Sequence, residues 1–136
     1  MAALSKGRNT PEREAGMTEL PVKAATKIYA GGLTAVDANG LAVPMSTSTT
    51  LRGVGRAEAD FDNSAGANGD IRARIGRGIY RYANSAATDA ITAADIGDDC
   101  YGVDDQTVAK TNGTNTRSVA GKIHDVDAQG VWVNFG

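Results

Sequence analysis

His124-Asp125-Val126-Asp127-Ala128-Gln129-Gly130-Val131-Trp132-Val133-Asn134-Phe135 lies at the end of the sequence, and Val36-Asp37-Ala38-Asn39-Gly40-Leu41-Ala42-Val43 writes the same phrase earlier. Twice the chain reads Val-Asp-Ala-(Asn/Gln)-Gly followed by an apolar run. In each copy the short acceptor side chain of Asp opens a turn, and Gly takes the φ > 0 position that closes a type I turn with a bulge. Each copy therefore reads as a β-hairpin. After the second Gly, Val131, Val133 and Phe135 alternate with Trp132 and Asn134, the two-residue period of a strand with one face on a core.

Outward from these hairpins, short apolar segments punctuated by turn residues run from Pro21 onward. Leu33-Thr34-Ala35-Val36 leads into the first turn, and Pro44 ends the strand leading out or marks an edge. Met45 to Thr50 reads as an exposed connection. Leu51 to Glu58 resumes a strand, in which Gly53 and Gly55 read as bulges, and Asp62 to Gly69 is a loop. Ile71-Arg72-Ala73-Arg74-Ile75 alternates cleanly. Extending that register through Gly76-Arg77-Gly78-Ile79-Tyr80-Arg81-Tyr82 would put Arg77 and Arg81 on the isoleucine face, so a bulge at Gly76 or Gly78 is expected to shift the faces. Ile91 to Gly97 carries a Thr92-x-x-Asp95 capping pattern and a Gly stop, enough for one helical turn. Short strands then flank Asp104-Asp105, and Ser118 to Ile123 enters the last hairpin. The expected fold is all-β and mainly antiparallel, a small sandwich or barrel with one short helix and an extended N-terminal arm. Residues 1–20 are assigned to the arm, flexible or ordered on a neighbour, and residues 21–136 to a single domain. Thr10-Pro11-Glu12-Arg13-Glu14 could start a short helix within the arm.

Composition narrows the functional classes. The 136 residues form one domain on length. Apolar residues are 41% but rich in Ala, aromatics are 5% and Gly numbers 17, which predicts a thin core stabilised by association with copies or a partner. A net charge of −2 offers no general attraction to nucleic acid or an anionic membrane. Cys100 is the sole cysteine, so it forms no internal disulfide and no zinc spacing. Residues 1–20 have no apolar run of signal-peptide type, and a soluble protein made in the cytoplasm is expected.

Possible chemistry thins out residue by residue. Asp60, Asp62 and Ser64 match the first ligands of a calcium loop, but Gly66 comes one place late and Ile71 stands where a bidentate Glu belongs. Asp98-Asp99 and Asp104-Asp105 point to opposite faces of any strand and read as turn flanks. His124 has no nucleophile-elbow sequence with it. Gly53-Val54-Gly55 and Gly76-Arg77-Gly78 open no helix and cradle no phosphate. No catalytic residue, metal ligand or cofactor site is assigned. The concentration that stands out is Arg72, Arg74, Arg77 and Arg81 with Tyr80 and Tyr82, the composition of a protein interface, since Arg forks onto carboxylates and Tyr buries area at low entropy cost.

Several blocks in order carry a family resemblance: Ala30-Gly31-Gly32-Leu33-Thr34-Ala35-Val36-Asp37-Ala38-Asn39-Gly40-Leu41-Ala42-Val43-Pro44, Gly78 to Ser85, Ala90 to Gly97, Val103 to Ala109, and Val119 to Asp127 through Trp132-Val133. From about Lys27 onward the chain resembles the capsid decoration, or cement, proteins of tailed bacteriophages. The resemblance implies a non-enzymatic β-rich protein on the outer face of the head, made in the host cytoplasm. It implies that the protein clamps neighbouring major capsid subunits and self-associates as a trimer or dimer. Another virion component, such as a head fibre base or tail protein, is the alternative.

Overall fold

A computed structural model describes residues 2–13 and 15–136. Among the described residues twelve strands follow one another: β1 (Met17–Pro21), β2 (Thr26–Ile28), β3 (Leu33–Val36), β4 (Ala42–Pro44), β5 (Arg52–Ala57), β6 (Phe61–Asn63), β7 (Arg72–Gly76), β8 (Ile79–Tyr82), β9 (Asp99–Gly102), β10 (Val108–Ala109), β11 (Val119–Asp127) and β12 (Gly130–Asn134). They form an antiparallel sheet in the order β1-β7-β5-β3-β4, a second in the order β10-β9-β11-β12-β8, and a two-stranded ribbon β2-β6.

The layers follow from the pleat. Leu33, Ala35, Val43 and Met45 from the first sheet meet Cys100, Ala120, Ile123, Val131, Val133 and Phe135 from the second, and this is the main core. The opposite face of the first sheet supplies Val54, Ala57, Ala73 and Ile75 to a smaller core with Val22, Ile28 and Phe61, beneath the ribbon. The first sheet is thus covered on both faces, and the second on one. Small residues let the two large sheets approach closely: a Cβ on Gly53 would lie 2.0 Å from the Ala120 carbonyl oxygen.

The fold is a sandwich and not a closed barrel. The second sheet curls until its two ends touch at a single parallel bridge, Ala83 to Thr107. Both repeated phrases are hairpins. In the first, Asp37 Oδ1 accepts from the N–H groups of Asn39 and Leu41 at 2.9 and 3.0 Å, and Gly40 has φ +78°. In the second, Asp127 Oδ1 accepts from Gln129 and Gly130 at 2.8 and 3.1 Å, while Gly130 adopts φ +153° and a Cβ there would lie 2.4 Å from the Tyr82 carbonyl oxygen. Pro44 ends β4, an edge strand. The bulge expected near Gly53 and Gly55 is present as a register shift between β3 and β5.

Four expectations are corrected. The arm is shorter than residues 1–20, because Met17–Pro21 pairs with Arg72–Gly76 and forms an edge of the first sheet. Residues 7–13 have no regular structure, so no helix starts at Thr10; Glu14 lies outside the described residues. The single helical turn becomes two 3-10 turns, Ala87–Asp89 and Ala93–Asp95. At the second of these the capping signal holds, with the Thr92 N–H donating to Asp95 Oδ2 at 2.8 Å. Met45 leaves the exposed connection for the core, where it is 2% exposed.

Candidate interaction surface

The Arg/Tyr row divides at Gly76-Arg77-Gly78, where the chain leaves the first sheet for the second. There is no bulge within one strand; the faces change because the sheets change. Tyr80 leans over the crossing, and a Cβ on Gly76 would lie 2.2 Å from its hydroxyl. Arg72 and Arg74 stay exposed on β7, where Arg72 Nε donates to Glu19 Oε1 at 2.9 Å and its Nη2 to the Glu19 carbonyl. Arg77 holds the crossing to the end of β12, donating from Nη2 to the Phe135 carbonyl at 2.8 Å. Tyr82 is buried and donates its hydroxyl to the Gly31 carbonyl at 3.1 Å. Burial pushes its phenol well above the usual range. The six residues are therefore not one surface: Arg77 and Tyr82 secure the fold, and Arg72 and Arg74 lie apart from Arg81.

What the structure does bring together is the β8 end of the second sheet. Arg56 of β5 lies over the Tyr80 ring at 4.1 Å, and Tyr80 packs on Phe135. Arg81 and Trp132 are cross-strand neighbours, with the guanidinium 5.5 Å from the indole centre. Arg81 Nη1 donates to Gln129 Oε1 at 2.8 Å, and the indole N–H donates to Asp127 Oδ2 at 2.9 Å. That indole bond, followed by the Gln129 N–H, holds the Asp127 carboxyl below its ordinary value. These groups border an open cleft of about 410 Å³ lined by Gly31, Arg56, Ile79, Tyr80, Arg81, Tyr82 and Trp132.

Reasoning from sequence found Tyr80 and Arg81 but missed Arg56, Ile79 and Trp132. The tryptophan was legible as an outward residue of an alternating strand. Arg56 carried no signal, since only the stacking of two sheets sets it beside Tyr80.

The carboxylates of the calcium-like loop and two of the paired aspartates are engaged in the fold. Asp60 Oδ1 accepts from the Ala30 N–H at 2.8 Å, and Asp62 Oδ1 accepts from the Ser64 N–H at 2.9 Å, so this loop uses its carboxylates as caps. Asp99 pairs with Lys122 at 2.7 Å, and Asp104 closes a turn onto the Gln106 N–H. His124 is exposed at a register shift in β11. Cys100 is fully buried, and burial pushes its thiol up to about 12. Among the described residues no three His, Cys, Asp or Glu side chains converge, and no helix is long and apolar enough to cross a membrane. No protein-family model, curated protein or solved structure matches the chain.

Proposed function

We propose that this protein is a structural cement of a tailed-bacteriophage head, bound to the outer surface and bridging neighbouring major capsid subunits. The observation that carries the reading is one molecule with two separate adhesive parts. The first is the segment 2–13, exposed at every residue and ending just before edge strand β1. The second is the outer face of the second sheet, left uncovered, with Ile79 exposed two residues from Arg81 and its neighbour Trp132, and with Val119 exposed at the start of β11 opposite Tyr101.

Two attachment points on one rigid body raise the effective concentration of the second contact once the first is made. A copy that straddles a seam then resists separation of the subunits under DNA pressure, without any bond made or cut. The segment 2–13 spans up to about 40 Å when extended, enough to reach a neighbouring subunit. Ordering it there trades chain entropy for contact area. Self-association as a trimer or dimer on the lattice fits the exposed apolar residues, and neither nucleic acid nor a membrane is part of the reading.

The test is co-sedimentation of the purified protein with expanded and unexpanded heads, followed by imaging of the particles. Saturable binding to the outer surface of expanded heads is expected. Absence from heads overturns the reading, and density at a fibre base or on the tail would assign it to another virion part.

A further inference from the structure

β8 ends the second sheet, and its residues alternate between bonding β12 and facing away from it. The Phe135 N–H donates to the Gly78 carbonyl at 3.0 Å, which places Gly78, Tyr80 and Tyr82 on the β12 side. Ile79, Arg81 and Ala83 then face the open side. Ala83 fixes this phase, because its N–H and C=O are taken by Gln106 and Val108 at 2.8 and 3.0 Å. Two and four residues upstream, the same groups of Arg81 and Ile79 point outward along the edge beside the cleft, with no backbone partner on that side among the described residues. An open strand edge of this kind is a template for another strand.

The cleft's chemistry selects which strand. Both charged side chains that line it are arginines, in a chain whose net charge is −2. They are held on opposite faces of the edge, Arg81 over Trp132 on the outer face and Arg56 over Tyr80 on the inner. Arg56 meets Glu58 through Nη2, and Arg81 bonds a neutral amide, so both keep donors for a further carboxylate.

We propose that the β8 edge takes a short acidic strand from a partner protein, pairing its backbone with Ile79 and Arg81. Adjacent residues of a strand point to opposite faces, so two successive carboxylates would reach Arg81 and Arg56 respectively. The strip is β8 itself, four residues from Ile79 to Tyr82 or about 13 Å at about 3.3 Å each, with Arg77 on Phe135 beyond one end and the Ala83 bridge at the other. The inference rests on the reading that this protein works by binding other protein chains, and names the chemistry of the contact.

Trp132 is the only tryptophan and borders the cleft, so its emission reports occupancy. The probe is the capped hexapeptide Thr-Val-Glu-Glu-Val-Thr, with Gln-Gln and Lys-Lys versions as controls. A saturable change in emission is expected, with backbone amide shifts centred on residues 79–82. Binding should weaken about tenfold for the Gln-Gln peptide and in both Arg81→Glu and Arg81→Gln, the loss expected for a charge-assisted hydrogen bond. Equal binding of the Gln-Gln or Lys-Lys peptide, or no saturable change with any of them, overturns the proposal. Full attachment of Arg81→Glu to heads would also overturn it while leaving the cement reading intact; peptide binding without head attachment would do the reverse.

Discussion

Asp127 shows how one side chain can set a turn, orient an aromatic and leave a pH signature. Its carboxylate accepts from two backbone N–H groups and from the Trp132 indole. Folded, it titrates below its ordinary value, chiefly because of the indole bond. A carboxyl depressed by folding adds stability that is complete above the unfolded value, about 3.9, and is lost as pH falls through the lower folded value. Asp62, Asp89 and Asp95 are lowered in the same sense by hydrogen bonds from Ser64, Thr111 and Thr92. Melting temperature should therefore fall steeply below about pH 4. Asp127→Asn should make that acid limb shallower without altering the slope between pH 6 and 8; an unchanged acid limb would contradict the assignment. Cys100 gives a second residue-level expectation, since a buried thiol pushed up to about 12 has almost no thiolate at neutral pH. A thiol reagent at pH 8 should label it only after denaturant is added, and prompt labelling of the native protein would show that the site opens. The roles of both aspartates in the repeated phrase were legible because an Asx turn is local chemistry. The indole bond was not, although Trp132 lies only five residues away, because it depends on how tightly the hairpin twists.

At the scale of elements, stability concentrates where backbones touch. β5 lies so near β11 that a methyl group at Gly53 would enter the Ala120 carbonyl. Gly53→Ala should cost about 3 kcal/mol by forcing the sheets apart, a loss measurable by denaturant unfolding. Asn63 holds the ribbon to the first sheet by donating from one nitrogen toward the carbonyls of Val22, Lys23 and Ala67, while 3% exposed. Asn63→Ala leaves those acceptors buried and should cost about 2–3 kcal/mol. A loss below about 0.5 kcal/mol at either position would mean that the strands relax there more than the packing implies. The hairpins and the alternating strands were readable because period and turn residues are properties of a few neighbours. The crossing at Gly76-Arg77-Gly78 was not, because Ile71 to Ile75 and Ile79 to Tyr82 alternate equally well, and only the pairing of β8 with β12, some fifty residues on, assigns them to different sheets. Strand β1 was assigned to the arm for a similar reason: Thr18 and Leu20 gain a face only when β7 lies beside them.

For the whole molecule, the accessible surface is 8029 Å², against about 6,700 Å² for a compact monomer of this mass. The excess fits a chain whose first described segment, 2–13, is exposed throughout. Removing residues 2–13 should leave the melting temperature of the isolated protein unchanged, while weakening attachment to heads. A large drop in melting temperature would show that the segment folds onto its own domain in solution. All-β architecture was legible from short strands and turns; the proposed role rests on a string of resembling blocks, and the Arg56, Tyr80, Arg81 and Trp132 cluster needed the sheets in place. The most direct measurement of the central claim is the temperature at which DNA-filled heads rupture, with the protein removed and then added back. Heads lacking it should release DNA at a lower temperature and recover once a fixed number of copies has bound. Rupture at the same temperature in both states would contradict a cementing role.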